Sequence, residues 1–234
     1  MSNSVKAYWL GHSTFKFESP DGNIIFIDPF LTDNPKTPDS LKNPDAIDYI
    51  LLTHGHEDHV GDTLSLAKKT GAKVVGILEL IEVLKKNGLK EDQGIGMNKG
   101  GTVYFDDFKV TMTSANHSSS WKGNYTGDPA GLIIRFNNDY TVYNAGDTNI
   151  MYDMKLYGEI YKPDLVCLPI GDHFTMDPVE AAYAAKLVNA KKAIPIHYGT
   201  WPPLIGSPET FKELVEKDTD TKVIIPEIGE NFLG

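Results

Sequence analysis

The sequence predicts an α/β fold in which two mixed β-sheets pack face to face and carry helices on their outer surfaces. Apolar runs of strand length outnumber amphipathic segments of helical length. Hairpins are interspersed with strand–helix–strand units, and the strand-rich pattern recurs in both halves of the chain.

The first third reads as strands and tight turns. VKAYWL (5–10) and TFKFES (14–19) alternate apolar and polar side chains, and PDGN (20–23) turns the chain into IIFID (24–28). Three prolines within 33–45 mark a surface loop. IDYILL (47–52) is too apolar for an edge strand and matches one covered on both faces. A helix is expected at about 62–70, with Asp62 as its N-cap and Gly71 just past its end. AKVVGI (72–77) is the next strand, and ELIEVLKKNG (79–88) a helix closing on Gly88. GIGMNKGG (94–101) lacks the glycine spacing of a nucleotide loop and reads as a flexible loop.

TVYF and FKVTMTSA, joined at Asp106–Asp107, form one expected hairpin; GLIIRF and YTVYNA, joined at Asn137–Asn138, form another. PDLVCLPI (163–170) is a buried strand. Asp177 and Pro178 open a helix to about 189 as N-cap and first helical residue. KKAIPIH is a strand, Ser207-Pro208 opens a last helix to about 217, and KVIIPE closes the chain's order of elements. No short-period repeat or low-complexity tract interrupts this pattern, so one domain over residues 1–234 is expected.

Composition narrows the function classes. With 41% hydrophobic and 23% charged residues, the chain has material for a sizeable core. A formal net charge of −10 disfavours nucleic acid and anionic membranes as partners. Arg135 is the single arginine, which rules out a phosphate-binding arginine cluster. The lone cysteine, Cys167, sits in an apolar run and reads as a small buried hydrophobe. The N-terminus has no apolar signal core and no window has the length of a membrane span, so a cytoplasmic protein is expected.

The seven histidines carry the chemistry through their positions. IDYILL runs into His54-Gly55-His56, FKVTMTSA into Asn116-His117, YTVYNA into Gly146-Asp147, and KKAIPI into His197. Each polar group follows the C-terminal end of an apolar strand, where α/β sheets form their clefts. His54 and His56, two apart in an extended backbone, are able to face one cation, while Asp58 and His59 face a second nearby. Imidazole and carboxylate suit Zn²⁺, with Mn²⁺ or Fe²⁺ as alternatives, and the lack of thiolate argues against a closed structural zinc site. Two such cations, bridged by a carboxylate such as Asp147, acidify a shared water for hydrolysis.

Thr53-His54-Gly55-His56-Glu57-Asp58-His59, with His117 in SANHSS, Asp147 in NAGDTN and His197 in IPIHYG, resembles the metallo-β-lactamase superfamily signature across nearly the whole chain. More narrowly, YWLGHSTF, THGHEDHVGD, NAGDT, FTMDP and IHYGTWP resemble the UPF0173 metal-dependent hydrolases, near the ascorbate-6-phosphate lactonase-like branch. The resemblance implies a four-layer αββα sandwich with a dinuclear site at the sheet edge. It implies that His54, His56 and His117 hold the first metal, that Asp58, His59 and His197 hold the second, and that Asp147 bridges. Asp28 would buttress a ligand histidine, a role suited to fixing the other ring N–H, with a plain turn residue before Pro29 as the alternative. The chain departs from true β-lactamases, which usually carry a Cys or another residue at the Asp147 position. Asp172 stands where relatives often have a glycine.

Asp58 and Asp147 are the expected proton acceptors. His12 and His173, each after an apolar strand, are expected at the same edge as substrate contacts or proton donors, with local hydrogen bonding as the alternative. Trp121, Tyr125 and Trp201 are candidate pocket walls, with ordinary loop packing as the alternative. The expected activity is hydrolysis of a small ester, lactone or phosphoester. A non-hydrolytic di-metal redox or binding protein and a phosphodiesterase or nuclease are the alternatives, and a homo-oligomer is compatible with the sequence.

Overall fold

A computed structural model describes residues 4–234. Its first sheet holds β1 (Lys6–Trp9), β2 (Phe15–Glu18), β3 (Ile24–Ile27), β4 (Tyr49–Leu51), β5 (Lys73–Ile77) and β6 (Gly94–Met97), hydrogen-bonded in that order. β1 to β3 are antiparallel, whereas β3 to β6 run parallel. The second sheet is built from β7 (Thr102–Tyr104), β8 (Phe108–Ser114), β11 (Ala130–Phe136), β12 (Thr141–Asn144), β13 (Leu165–Pro169), β14 (Lys192–Ile196) and β15 (Lys222–Val223). β12 to β15 are parallel, while β8, β11 and β12 alternate in direction, so β8 runs the same way as β12. β9 (Ser120–Trp121) and β10 (Asn124–Tyr125) form a separate small hairpin.

Period-two alternation sorts the second sheet into two cores. Leu132, Ile134, Val142, Leu165, Cys167, Ile194 and Ile196 face the first sheet and share its core with Phe17, Ile25, Ile27 and Ile50. Their neighbours Ile133, Tyr143, Val166, Leu168 and Ala193 point the other way. There they meet α4 (Asp153–Tyr161), α5 (Pro178–Val188) and α6 (Pro208–Asp218) through Met154, Ala181, Ala185 and Phe211. Phe17 against Phe136 and Tyr49 against Phe108 stitch the sheets together. α2 (Thr63–Thr70) and α3 (Leu78–Lys86) cover the outer face of the first sheet, completing helix, sheet, sheet and helix layers. The burial of Cys167 matches a small core hydrophobe.

Several local expectations are corrected. Residues 94–97 are the edge strand β6 and not a flexible loop. The reason is steric: a Cβ on Gly94 would lie 2.8 Å from Ile81 Cγ2, and one on Gly96 2.7 Å from Leu78 Cδ1. The glycines let α3 lie directly on the strand. Asp62 precedes α2 but does not cap it; its carboxylate accepts from the Leu31 and Thr32 amides at 2.9 and 2.8 Å. α1 (Glu57–Val60) is a single helical turn where only a turn was expected. α4 and the β9–β10 hairpin were not foreseen. α4 exposes Leu156 and Ile160, so it lacks a clean apolar stripe, and no side chain caps its start. Asp177 and Ser207 do cap α5 and α6, each accepting the amide three residues on.

Close approach at one glycine gives a test of the packing. A Cβ on Gly158 of α4 would sit 2.1 Å from the Val188 carbonyl oxygen at the end of α5. Gly158→Ala is therefore expected to destabilise the fold by about 1–3 kcal/mol despite alanine's better helix propensity. A lowered urea midpoint with unchanged metal content would show it; an unchanged midpoint would contradict the packing.

Candidate metal centre

The parallel direction of β3, β4, β8, β12 and β14 brings their C-terminal ends to one edge, and the polar residues after each strand turn inward there. β4 leads through Thr53 to His54, Gly55 and His56, and α1 then presents Asp58 and His59 on one turn. Gly55 is required because a Cβ there would meet Thr126 Oγ1 at 2.1 Å. His117 follows β8, Asp147 follows β12, and His197 follows β14 directly. His12 and His197 both adopt left-handed backbone, φ 54° and 57°, which turns their rings off the strand direction.

Three overlapping groups of ligand atoms result, each within 4.8 Å of one another: His54, His56 and His117; His54, His59 and Asp147; and His12, Asp58, His59 and His197. His54 Nε2 lies 3.0 Å from His56 Nδ1. Asp147 Oδ2 lies 3.0 Å from His197 Nε2, 3.3 Å from His59 Nε2 and 3.6 Å from His117 Nε2. Asp58 Oδ2 lies 3.6 Å from His197 Nε2 and 3.8 Å from His59 Nε2. The sequence-predicted set His54, His56, Asp58, His59, His117, Asp147 and His197 is thus gathered at one place.

Outer contacts fix these rings. Asp28 Oδ2 accepts from His59 Nδ1 at 2.8 Å, leaving Nε2 facing the carboxylates. The same carboxylate accepts the Thr53 amide at 2.9 Å and the Thr53 hydroxyl at 2.6 Å. Thr53 Oγ1 also lies 3.0 Å from His54 Nδ1, and Ser118 Oγ lies 3.2 Å from His56 Nε2. The Ser119 hydroxyl accepts the Gly55 amide at 3.0 Å. Thr53, Ser118, Ser119 and Thr200 escaped sequence reasoning. Their one signal was adjacency to the ligand segments THGH, NHSSS and HYGT.

The electrostatics are those of a site built for cations. Burial holds His54 well below the usual histidine range, and burial lowers His56 and His117 as well. Burial opposes charge on His59 and His197 too, but the carboxylates of Asp147 and Asp58 prevail, raising His59 well above its usual range and His197 to about 9. Burial disfavours ionised Asp147 and Asp58, yet the surrounding histidines hold both well below the carboxylate range. His59 Nε2 and Asp147 Oδ1 are buried without hydrogen-bond partners. An unpartnered buried carboxylate oxygen is costly, and a bound divalent cation satisfies both atoms. The donor set therefore fits metal.

His12 is fully buried, with its Nδ1 2.8 Å from Thr200 Oγ1 and its Nε2 3.0 Å from Asp58 Oδ2. Contact with substrate is closed to it. His173 is not brought into the cluster; it is exposed and packs on Phe174 at 4.4 Å. Trp201, 37% exposed, stands over His12 and Phe30 at 5.0 and 5.7 Å and walls this side. Trp121 is buried beneath Lys122, and Tyr125 is turned outward with its hydroxyl donating to Asp128. No helix among the described residues is long and apolar enough to cross a membrane.

Comparison with known proteins agrees with this geometry. The model of the β-lactamase superfamily domain matches residues 23–198. A UPF0173 metal-dependent hydrolase of Herpetosiphon aurantiacus is 46% identical over 228 residues, spanning 95% of both chains. One from Methanosarcina barkeri is 45% identical over 97% of this chain and 98% of its own. The solved structure of a metallo hydrolase from the archaeon Ignicoccus hospitalis superposes with a TM-score of 0.86 at 39% identity, covering 97% of each chain.

Proposed function

Since the chain belongs to the UPF0173 metal-dependent hydrolases of the β-lactamase superfamily, we propose that it hydrolyses a small ester, lactone or phosphoester with a pair of divalent cations. Zn²⁺ is the expected metal, with Mn²⁺ or Fe²⁺ as alternatives. His54, His56 and His117 would hold one cation and Asp58, His59 and His197 the other, with Asp147 available to both. The observation that carries this reading is the position of Asp147 Oδ2, within 3.6 Å of ligand nitrogens from both groups.

When bound, such a pair supplies Lewis acidity that brings the pKa of a water toward neutrality and polarises the scissile oxygen. The protein's own groups do the rest. Asp58 keeps about a quarter of its side chain open, 23% by exposure, and is held ionised with Oδ2 tied to His12, so it would serve the second cation as a charged ligand. Asp28 and Thr53 keep His59 and His54 in a single ring orientation. Trp201 and Phe30 offer an apolar wall for an acyl group or lactone ring. His173, exposed against Phe174 and outside the cluster, takes no part in this reading. The single arginine, paired with Asp139 on the surface, favours carboxylic esters and lactones over phosphoesters.

The test is a panel of lactones, thioesters, phosphomonoesters and phosphodiesters assayed with Zn²⁺ and Mn²⁺ separately. Turnover of lactones or carboxylic esters that disappears with chelator and returns with metal is the expected result. Iron with visible absorption and no turnover on any substrate would overturn hydrolysis, and salt-sensitive RNA cleavage would move the reading to a nuclease.

A further inference from the structure

His12 lies at the crossing of two chains of contacts. Its Nε2 faces Asp58 Oδ2 at 3.0 Å, and an ionised carboxylate only accepts, so Nε2 carries the proton. In a neutral ring Nδ1 must then accept, and the donor is the Thr200 hydroxyl at 2.8 Å. That hydroxyl's other acceptor, the Tyr198 carbonyl, is 3.5 Å away, so little competes for its proton. A directed relay runs from Thr200 through His12 to Asp58.

The backbone of His12 does a second job. Its carbonyl accepts from the His197 amide at 3.1 Å and from the Trp9 indole at 2.9 Å. The ring lies 4.1 Å from the His197 ring and 5.0 Å from Trp201, which shields it from solvent. A non-glycine residue is unfavourable at φ 54°, so its neighbours must hold His12 there. That conformation is what directs the ring at Asp58 and the carbonyl at His197 together.

We propose that His12 is a positioning residue for one half of the metal centre: with Thr200 it fixes the Asp58 carboxylate and the His197 backbone, and so sets affinity for the cation held by Asp58, His59 and His197. This rests on the paired-cation reading. The ring of His12 makes its hydrogen bonds to Thr200 and Asp58, and none to His54, His56 or His117.

Zn²⁺ titration of the full chain by calorimetry, with Co²⁺ absorption as a second readout, tests the relay. Thr200→Val, nearly isosteric, is expected to weaken one of two Zn²⁺ sites by about 10–100-fold and leave the other within about twofold. His12→Leu should weaken the same site further, and His12→Gln, which returns an N–H donor, should recover part of it. The Co²⁺ ligand-field bands should keep their intensity in Thr200→Val and His12→Gln, because no ligand is lost. Unchanged Zn²⁺ affinities in Thr200→Val and His12→Leu would overturn the proposal. Loss of band intensity in His12→Gln would also overturn it, by making His12 a ligand. If the wild type takes up one ion, the paired-cation reading fails by itself; the relay then stands or falls on whether Thr200→Val weakens that ion.

Discussion

Asp147→Asn is expected to reduce hydrolytic turnover by about a thousandfold or more and to strip the protein of at least one cation. The side chain is almost fully buried, and Oδ2 sits within 3.6 Å of His59, His117 and His197 nitrogens. Asparagine keeps the shape but removes the charge, and its amide NH₂ would point hydrogens at nitrogens whose lone pairs should face metal. Chelator-stripped variant should also be less stable than chelator-stripped wild type, by about 3 kcal/mol, since charged His59 and His197 lose a buried partner. Metal analysis, kcat/KM on the best substrate of the panel, and thermal unfolding with and without chelator check the three parts. Retention of two cations with turnover within tenfold of wild type would remove Asp147 from the centre.

The placement of this cluster was legible in the sequence because strand direction and residue type point the same way. His54, His117, Asp147 and His197 each follow an apolar run, and only parallel alignment of those runs collects them at one edge. Asp28 was legible for the same reason, lying one residue past β3. What escaped was mostly tertiary. Nothing in YWLGHSTF shows that His12 will be buried against Thr200, 188 residues away in sequence. Hydroxyl groups such as Thr53 and Ser118 look like ordinary loop polarity until the rings they fix are in place. β6 was hidden because glycine lowers strand propensity, and the contact that requires it comes from α3. α4 was hidden because it turns Leu156 and Ile160 outward, the opposite of the pattern by which helices are recognised.

Removing the metal should give the protein a stability maximum near pH 6.5 that the loaded protein lacks on its alkaline side. An unfolded histidine titrates near 6.5. Burial works against a charged His197, but Asp147 and Asp58 raise it to about 9, so the folded state holds a proton the unfolded chain has given up. That contribution is complete below about pH 6.5 and disappears as pH rises through 9, on the order of 3 kcal/mol for His197. His12 acts on the other side: burial, helped by the charge on His197, lowers it to about 4, so the unfolded chain binds a proton first and stability falls from pH 6.5 toward 4. A bound cation takes the place of the His197 and His59 protons. Its apparent affinity should therefore climb between pH 6.5 and 9, by about tenfold per unit for each proton displaced, and the alkaline loss should vanish. Urea unfolding across that range with chelator or Zn²⁺ measures the first effect, and Zn²⁺ calorimetry in buffers of different ionisation enthalpy counts the protons released. Superimposable stability profiles, or Zn²⁺ binding without proton release at pH 7, would mean that the buried imidazoles are not the ligands.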